Sequence, residues 1–269
     1  MKLTVKKIFN KMRHYVQTSG VRRELRRVAL VPRYTAGITT VFGHPFAYVD
    51  SASFLSTYAE IFDQGIYAFS TASDMPYILD CGANIGLSVL FFKQCCPNSR
   101  IVAFEPDPEI CRVLETNIAN FNLTNMRAVE KAVWSSETTL EFLVEGADGG
   151  RVINIDENFP RRTVKTVRLR DYLVEHVDLL KIDIEGAESE VLVDIADRLD
   201  CVERIFVEYH SFADRAQSLS SIVAILSDAG FRLHFHPCSI APHPFVEIPS
   251  HFGMDMQLNI FGTRPARMR

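Results

Sequence analysis

The chain lacks the long apolar segments of a membrane protein. No uncharged apolar run reaches the roughly 18 residues that a membrane-spanning helix requires. The N-terminus also lacks the apolar core of a secretory signal. We therefore expect a soluble protein that is not secreted. Its 269 residues suit one large domain, or one domain with an appendage.

The six cysteines show no pattern of a metal site or of a disulfide framework. No C-x-x-C pair occurs, and most of the cysteines stand in apolar stretches, where a free thiol behaves as a small buried hydrophobe. A reducing, cytoplasmic setting is the simplest interpretation. The cysteines are Cys81, Cys95, Cys96, Cys111, Cys201 and Cys238.

Acidic residues are nearly absent from positions 1–33, where Glu24 stands alone among lysines and arginines. The net charge of the chain is −4, so the remainder is acidic and the protein is not an evident nucleic-acid binder. Apolar residues within 3–16 recur near helical spacing, which predicts a basic amphipathic helix. This helix is expected to pack on the body of the protein or on a second subunit; contact with a membrane surface or another partner is the alternative.

Beyond this segment, predicted strands alternate with predicted helices. This pattern predicts a Rossmann-like α/β sandwich, with a mostly parallel seven-stranded sheet and helices on both faces. We expect residues 1–43 to form a basic helical extension and residues 44–269 the main domain. The predicted strands of the sheet are 77–81, 101–105, 127–133, 177–183, 203–209, 231–235 and 256–262, with an antiparallel pair at 138–144 and 163–168.

The first strand of this rhythm runs into a glycine turn, "DCGANIGLS" (80–88). The dinucleotide fingerprint G-x-G-x-x-G is absent, because Asn84 and Leu87 occupy two of the required positions. The pattern is instead D-x-G-x-x-x-G, and a carboxylate at the strand end suits a ligand that carries an ammonium group. Glu105 follows Gly86 by 19 residues, at the place where an acid can accept the hydroxyls of a ribose. A ribose and an amino-acid end without a phosphate cradle describe S-adenosylmethionine.

Each of these features also has a purely structural interpretation. Asp80 could cap the turn that follows it, and Glu105 could cap its own helix, although Asp107 with Pro108 after it is better placed for that. The glycines could form a tight turn between a strand and a helix with nothing bound there.

Together the motifs resemble the FkbM family of class I S-adenosylmethionine-dependent methyltransferases. The resemblance implies that Asp80, Gly82, Asn84 and Gly86 hold the methionine part of the cofactor. It likewise implies that Glu105 holds the ribose and that Ala132 and Val133 flank the adenine. Ala83, Ser88 and Pro106 lie in the same motifs and are further candidates for cofactor binding. The motifs are "DCGANIGLS" (80–88), "VAFEPDP" (102–108), "KAVWS" (131–135), "LLKIDIEGAE" (179–188) and "VEYH" (207–210).

The chain departs from the family pattern at "RLRDYL" (168–173). The family tends to have two acids there, and Arg170 takes one of those places. Anything attributed to that pair of acids is therefore not carried over to this chain.

Two later strands deliver polar side chains to the same predicted rim of the sheet. Asp183 ends one strand, and Glu208 and His210 end the next, on one face because side chains alternate along a strand. These three are the catalytic candidates: His210 or Asp183 could remove a proton from the acceptor. His210 could equally be a buried histidine satisfied by backbone groups. Glu188 is interpreted as an acid in the first turn of a helix.

A metal ion is a minor alternative at this rim. Asp183 with Glu208 could hold Mg²⁺, but the ligand set is incomplete by sequence and no metal ligand is assigned.

The predicted activity is methylation of a hydroxyl oxygen on a small molecule, a natural product, or a sugar or glycan. The tetrapeptide N-P-P-[YF] of amide and base methylation is absent, and no basic and aromatic interleaving marks a nucleic-acid groove. Acceptor contacts are expected from 44–69 and from the long loop 236–255. The alternatives are a methyltransferase acting on protein or RNA through the basic N-terminal segment, and a non-catalytic cofactor-binding module.

Overall fold

The computed structural model describes residues 18–143, 151–152, 161–250 and 253–264. The helix predicted at 3–16 lies outside these residues. Six α-helices are described: α1 Ser19–Ala29, α2 Ser51–Tyr58, α3 Leu87–Cys95, α4 Pro108–Asn120, α5 Glu188–Ile195 and α6 Leu219–Asp228. A π-helical segment, Ala59–Gln64, continues α2, and 3₁₀ segments cover Leu169–Tyr172 and Ala196–Cys201.

Thirteen strands are described in the same residues. The first eight are β1 Gly37–Thr39, β2 Phe46–Tyr48, β3 Tyr77–Cys81, β4 Arg100–Phe104, β5 Met126–Val129, β6 Ala132–Trp134, β7 Thr139–Leu143 and β8 Arg151–Val152. The last five are β9 Arg161–Arg168, β10 Leu179–Ile182, β11 Arg204–Phe212, β12 Arg232–Pro237 and β13 Met254–Thr263.

The predicted α/β fold is confirmed. The main sheet has seven strands in the order β12-β13-β11-β10-β3-β4-β5. β10 is parallel to both β3 and β11, and β4 is parallel to β5. β13 lies antiparallel between β11 and β12. If the seven strands are numbered in chain order and the sheet is read from the β5 edge, the order is 3-2-1-4-5-7-6.

The single strand predicted at 127–133 is wrong. It is two strands, because the chain leaves β5 after Val129 and resumes as β6 at Ala132, in a second sheet of order β6-β9-β7-β8. β6 pairs with β9, whereas β5 pairs with β4, so hydrogen-bonding partners far apart in the chain decide where the apolar run is divided. The predicted antiparallel pair at 138–144 and 163–168 is confirmed as β7 and β9.

By its internal contacts the chain divides into two compact units. The first unit contains the described residues 18–76 and 83–130. The second unit contains residues 77–82, 131–143, 151–152, 161–250 and 253–264.

Helix α1 is held within the first unit by a buried apolar edge and by one carboxylate. Val21 and Val28 are buried, and Glu24 accepts hydrogen bonds from Arg27, from the Thr39 hydroxyl and from the Thr40 amide. The hydrogen bonds from Arg27 are the main reason that the pKa of Glu24 falls to about 2. The domain boundary at residue 43 stays a prediction. No helix among the described residues has both the length and the apolar character needed to cross a membrane.

The buried side chain of Asn117 fixes part of the first unit around α4. Its amide nitrogen donates to the carbonyls of Ala47 (2.9 Å) and Ile85 (2.8 Å), and its oxygen accepts from the Ala47 amide (2.7 Å). One side chain therefore ties β2 and the glycine turn to α4. The start of α4 is as predicted: Asp107 accepts from the amides of Glu109 and Ile110, with Pro108 as the first helical residue.

Replacing Asn117 should therefore destabilise the protein strongly. We expect Asn117→Ala to lower the free energy of unfolding by about 2–3 kcal/mol, because buried amide and carbonyl groups lose their partner. Urea denaturation measures the change. The matched control is Asn120→Ala on the same helix, where Asn120 is exposed. Equal losses in the two variants would contradict the bridging role of Asn117.

Candidate functional site

The glycine turn requires its glycines for packing. Gly82 and Gly86 adopt φ of 84° and 92°, a conformation that favours glycine. A Cβ on Gly82 would lie 1.8 Å from the carbonyl oxygen of Asp183, and a Cβ on Gly86 would lie 2.6 Å from Leu114 Cδ1. The tight turn alone therefore accounts for both glycines, and the evidence for a ligand must come from the polar groups around the turn.

In the first unit, Glu105 links the glycine turn to the start of α4. It follows β4 directly and is 7% exposed. Its Oε2 accepts from the Asn84 amide at 3.0 Å and its Oε1 accepts from the Asp107 amide at 2.9 Å. Each oxygen of this carboxylate therefore accepts from a backbone amide, one in the glycine turn and one at the start of α4.

The other candidate residues of the first unit lie beside these groups. Ala83 is buried and its amide donates to the Phe104 carbonyl at 2.9 Å. Asn84 has a positive φ of 46°, and its side-chain oxygen accepts from the Ile85 amide. Ser88 is buried in the first turn of α3, and Pro106 is half-buried.

In the second unit, a buried lysine joins the ends of β3 and β10. The side chain of Lys181 is 2% exposed. Its Nζ lies 2.8 Å from the Gly82 carbonyl oxygen, 3.3 Å from Asp80 Oδ1 and 3.1 Å from Asp183 Oδ2. Lys181 is not among the residues predicted from the sequence, although a lysine inside the apolar run "LLKI" is a usable signal, because a buried lysine needs paired charge. Asp80 is fully buried, and within this unit its charge is paired with the ammonium of Lys181.

His210 is the centre of a cluster of carboxylates in the second unit. Its side chain is completely buried. Nδ1 lies 3.0 Å from Glu188 Oε1, and Nε2 lies 3.5 Å from Glu185 Oε2 and 3.6 Å from Glu208 Oε1. Burial by itself lowers the pKa of the imidazole, but these carboxylates outweigh burial and raise the pKa well above its ordinary value.

The expectation that Glu208 and His210 end their strand is wrong. β11 continues to Phe212, because β13 pairs with it from Arg204 to that residue. The expectation that Glu208 and His210 share a face agrees with their contact. The interpretation of Glu188 as an acid of the first helical turn is confirmed, since α5 begins at that residue.

Glu188 and Glu185 contact His210, a role that was not predicted for either residue from the sequence. Glu188 is buried and accepts from the Gly186 amide at 2.9 Å, as well as contacting His210. Glu185 adopts a positive φ of 57°, which is uncommon for a residue with a side chain. The spacing "EGAE" directly after a predicted strand is the signal that could have indicated a pair of acids acting on one partner.

The remaining candidates are Ala132 and Val133, and the arginines of "RLRDYL". Ala132 and Val133 are buried in β6, where they pair with Thr166 and Val167 of β9. Arg168 forms a two-pronged ion pair with Asp194, and Arg170 pairs with Asp197. Both arginines therefore attach β9 and the 3₁₀ segment after it to α5 and its continuation. This gives Arg170 a structural role where the family tends to have an acid.

The loop expected at 236–255 is shorter than predicted, because β12 ends at Pro237 and β13 begins at Met254; its described residues 238–250 carry exposed apolar side chains. Ile240, Phe245 and Val246 are almost fully exposed. Residues 44–69, the other segment expected to contact the acceptor, contain β2, α2 and the π-helical segment that continues α2.

Among the residues that the structure describes, two groups of side chains have donor atoms close enough to bind a metal ion. Asp183, Glu185 and His210 form one, and their donor atoms all lie within 4.8 Å of one another. His176, Asp178 and Glu203 form the other, but there Asp178 accepts from the Tyr77 amide and Glu203 pairs with Arg204.

The mostly parallel seven-stranded sheet is the one predicted from the sequence, and it carries a glycine turn after its first strand in chain order and an acid after its second. These features define the S-adenosylmethionine-dependent methyltransferases as the class of this protein. Comparison with known proteins narrows the class, because the model described as "Methyltransferase FkbM domain" matches residues 80–233. The chain belongs to the FkbM methyltransferase family.

Three characterised relatives are similar to this chain. Methyltransferase sdnD of Sordaria araneosa is 32% identical, with 70% of this chain and 86% of the relative covered. The 31-O-demethyl-FK506 methyltransferase FkbM of Streptomyces tacrolimicus is 25% identical, with the same coverage. The 2-O-methyltransferase NoeI of Sinorhizobium fredii is 28% identical, with 50% of this chain and 63% of the relative covered.

Removing the buried ammonium should be costly. We expect Lys181→Met to lower the free energy of unfolding by about 3–5 kcal/mol, because it leaves the buried carboxylate of Asp80 without its charge partner. Urea denaturation measures the loss, and Lys165→Met, on an exposed position of β9, is the control. The double variant Asp80→Asn with Lys181→Met should recover part of the stability. No recovery in the double variant would show that Lys181 stabilises the protein in another way.

Proposed function

We propose that this protein transfers the methyl group of S-adenosylmethionine to a hydroxyl oxygen of a small-molecule or sugar acceptor. The observation that carries the proposal is the cluster of Asp183, Glu185 and Glu208 around the buried His210, a group of side chains suited to orient a hydroxyl and take its proton. The names of two relatives, a 2-O-methyltransferase and a 31-O-demethyl-FK506 methyltransferase, support an oxygen acceptor.

The residues proposed for the cofactor follow their order in the family motifs. Asp80, Gly82, Ala83, Asn84, Gly86 and Ser88 are assigned to the methionine end, Glu105 and Pro106 to the ribose, and Ala132 and Val133 to the adenine. Within the first unit, support comes from Glu105, a nearly buried carboxylate that its bond to the Asn84 amide holds beside the glycine turn. Within the second unit, Asp80 supports the turn through Lys181, which also holds the Gly82 carbonyl.

The proposed chemistry is an in-line displacement at the sulfonium. The acceptor oxygen bonds to the methyl carbon while the bond from that carbon to sulfur breaks, and S-adenosylhomocysteine leaves. The hydroxyl proton passes to a carboxylate as the new bond forms. Asp183 and Glu208 are proposed for this step, because their side chains are 23% and 16% exposed and can be reached. His210, which is fully buried, is proposed to hold these carboxylates in position. The sequence alone suggests, as a minor alternative, that Asp183 and Glu208 would bind Mg²⁺.

The cellular location of the protein is also a proposal. All six cysteines are free thiols, which supports a reducing, cytoplasmic location.

The cofactor is tested by calorimetry on the ligand-free protein. We expect S-adenosylmethionine and S-adenosylhomocysteine to bind with micromolar affinity, roughly −8 kcal/mol. Incubation with labelled S-adenosylmethionine and a panel of hydroxylated small molecules and sugars, followed by mass analysis, then identifies the acceptor. Folded protein that binds neither ligand would refute the proposed cofactor.

Glu105→Gln should weaken cofactor binding more than it weakens the fold. A charge-assisted hydrogen bond contributes ~1.5–3 kcal/mol, so we expect the dissociation constant of S-adenosylhomocysteine to rise by about tenfold or more. Glu115→Gln, an exposed acid on α4, is the matched control. If Glu105→Gln binds as tightly as the wild type, Glu105 serves only to join the turn to α4.

Asp183→Asn should slow turnover without loss of cofactor affinity. Removing a proton acceptor costs about 10²–10⁴-fold in kcat, whereas S-adenosylhomocysteine binding should stay within about twofold. Steady-state kinetics and calorimetry measure the two effects, with the exposed Asp200→Asn as control. An unchanged kcat would remove Asp183 from the proton transfer.

A further inference from the structure

The second unit holds a buried histidine nitrogen that faces two carboxylates without bonding to either. Among the described residues, His210 Nε2 has no hydrogen-bond partner, although its side chain is completely buried. The nearest carboxylate oxygens, on Glu185 and Glu208, stand 3.5 Å and 3.6 Å away. These separations are too long for good hydrogen bonds but leave space for an ion between the groups. A buried polar nitrogen of this kind needs an occupant to be satisfied.

The other ring nitrogen of His210, Nδ1, is held by the carboxylate of Glu188. Nδ1 lies 3.0 Å from Glu188, whose carboxylate is itself held by the Gly186 amide. A metal-bound histidine ordinarily donates its second N–H to a carboxylate or carbonyl, which fixes the ring and its tautomer. With Glu188 as acceptor on Nδ1, Nε2 is the nitrogen that faces Glu185 and Glu208, and it would give its lone pair to an ion there after losing its proton. The donors of these three residues lie within 4.8 Å of one another.

The local charge also favours a cation. Four carboxylates surround one imidazole and one ammonium at this place: Asp183, Glu185, Glu188 and Glu208 against His210 and Lys181. Lys181 contacts Asp183 through Oδ2, and a carboxylate has a second oxygen to give. A bound divalent ion would offset the excess negative charge.

We infer that Asp183, Glu185 and His210 form a binding site for a divalent first-row transition-metal ion such as Mn²⁺ or Zn²⁺. The donor set gives the reason for this class of ion, because imidazole with carboxylates suits these metals, whereas Mg²⁺ prefers oxygen ligands alone. The ligand set differs from the pair that the sequence suggested, since Glu208 is replaced by Glu185 and His210.

The role of the ion rests on the proposed function, whereas the site itself does not. An ion at this place would bind the acceptor hydroxyl and make its proton easier to lose. With Asp183 bound to the ion, Glu208 is the one of the two proposed carboxylates that takes the proton, as the methyl carbon exchanges its bond to sulfur for a bond to the acceptor oxygen.

Binding is tested with the full chain stripped of metal by a chelator and then titrated with Mn²⁺ alone. The loss of the free-ion signal in electron paramagnetic resonance measures binding, and we expect one ion per chain. Glu185→Gln and His210→Gln should each weaken binding by tenfold or more, and Glu188→Gln by about 10–100-fold through the ring it holds. Mg²⁺ should displace Mn²⁺ only at a large excess, and Zn²⁺ should displace it readily.

The second group of possible ligands provides the matched control. His176→Gln alters the cluster of His176, Asp178 and Glu203 and should leave Mn²⁺ binding unchanged. The inference is overturned if wild-type protein binds neither Mn²⁺ nor Zn²⁺ up to millimolar concentration. It is also overturned if His176→Gln abolishes binding while His210→Gln does not.

The two proposals fail in different ways. Methyl transfer that persists in excess chelator, together with no metal binding, would refute the metal site and leave the proposed function intact. Metal binding without cofactor binding would refute the proposed function and leave the metal site intact. Calorimetry with S-adenosylhomocysteine, run on the same metal-free samples, separates these outcomes.

Discussion

The second unit depends on one buried positive charge. Lys181 places its ammonium between Asp80 and Asp183 and donates to the Gly82 carbonyl, so a single side chain pairs with two acids and joins the ends of β3 and β10. Burying a lysine is unfavourable unless its charge is compensated, and here the compensation comes from residues at the ends of the strands themselves. The close approach that follows leaves no space for a Cβ on Gly82, 1.8 Å from the Asp183 carbonyl oxygen. The start of the glycine turn is therefore set by an ion pair as well as by backbone conformation.

The same carboxylate, Asp183, also belongs to the cluster around His210. One of its neighbours is the ammonium that organises the turn, and another is the imidazole held by Glu188. Asp183 therefore contributes both to the ion pair that holds the glycine turn and to the cluster proposed for the chemistry. This overlap explains why a change at Asp183 is expected to affect reactivity while Lys181 mainly affects stability.

The first unit secures its share of the glycine turn with neutral and charged hydrogen bonds. Asn117 holds the Ile85 carbonyl and Glu105 holds the Asn84 amide, so two consecutive residues of the turn are bound by side chains from beyond β4. A turn constrained in this way presents its backbone in one conformation, which lowers the entropy lost when a ligand binds. Asp107, and not Glu105, caps α4. The Glu105 carboxylate accepts a hydrogen bond from the Asp107 amide.

The sequence by itself determined the fold class and most of the element types, because these follow from local periodicity and capping. The run 77–81, the Asp107–Pro108 helix start and the antiparallel pair β7 and β9 are present as predicted. The motifs also identified the methyltransferase family. Tertiary structure alone decided the division of 127–133 into β5 and β6 and the extension of β11 to Phe212, because each depends on a pairing strand distant in sequence. It alone gave Lys181 its partners about 100 residues away and brought Glu188 to the ring of His210, since the contacts of a buried charge depend on which strand ends meet.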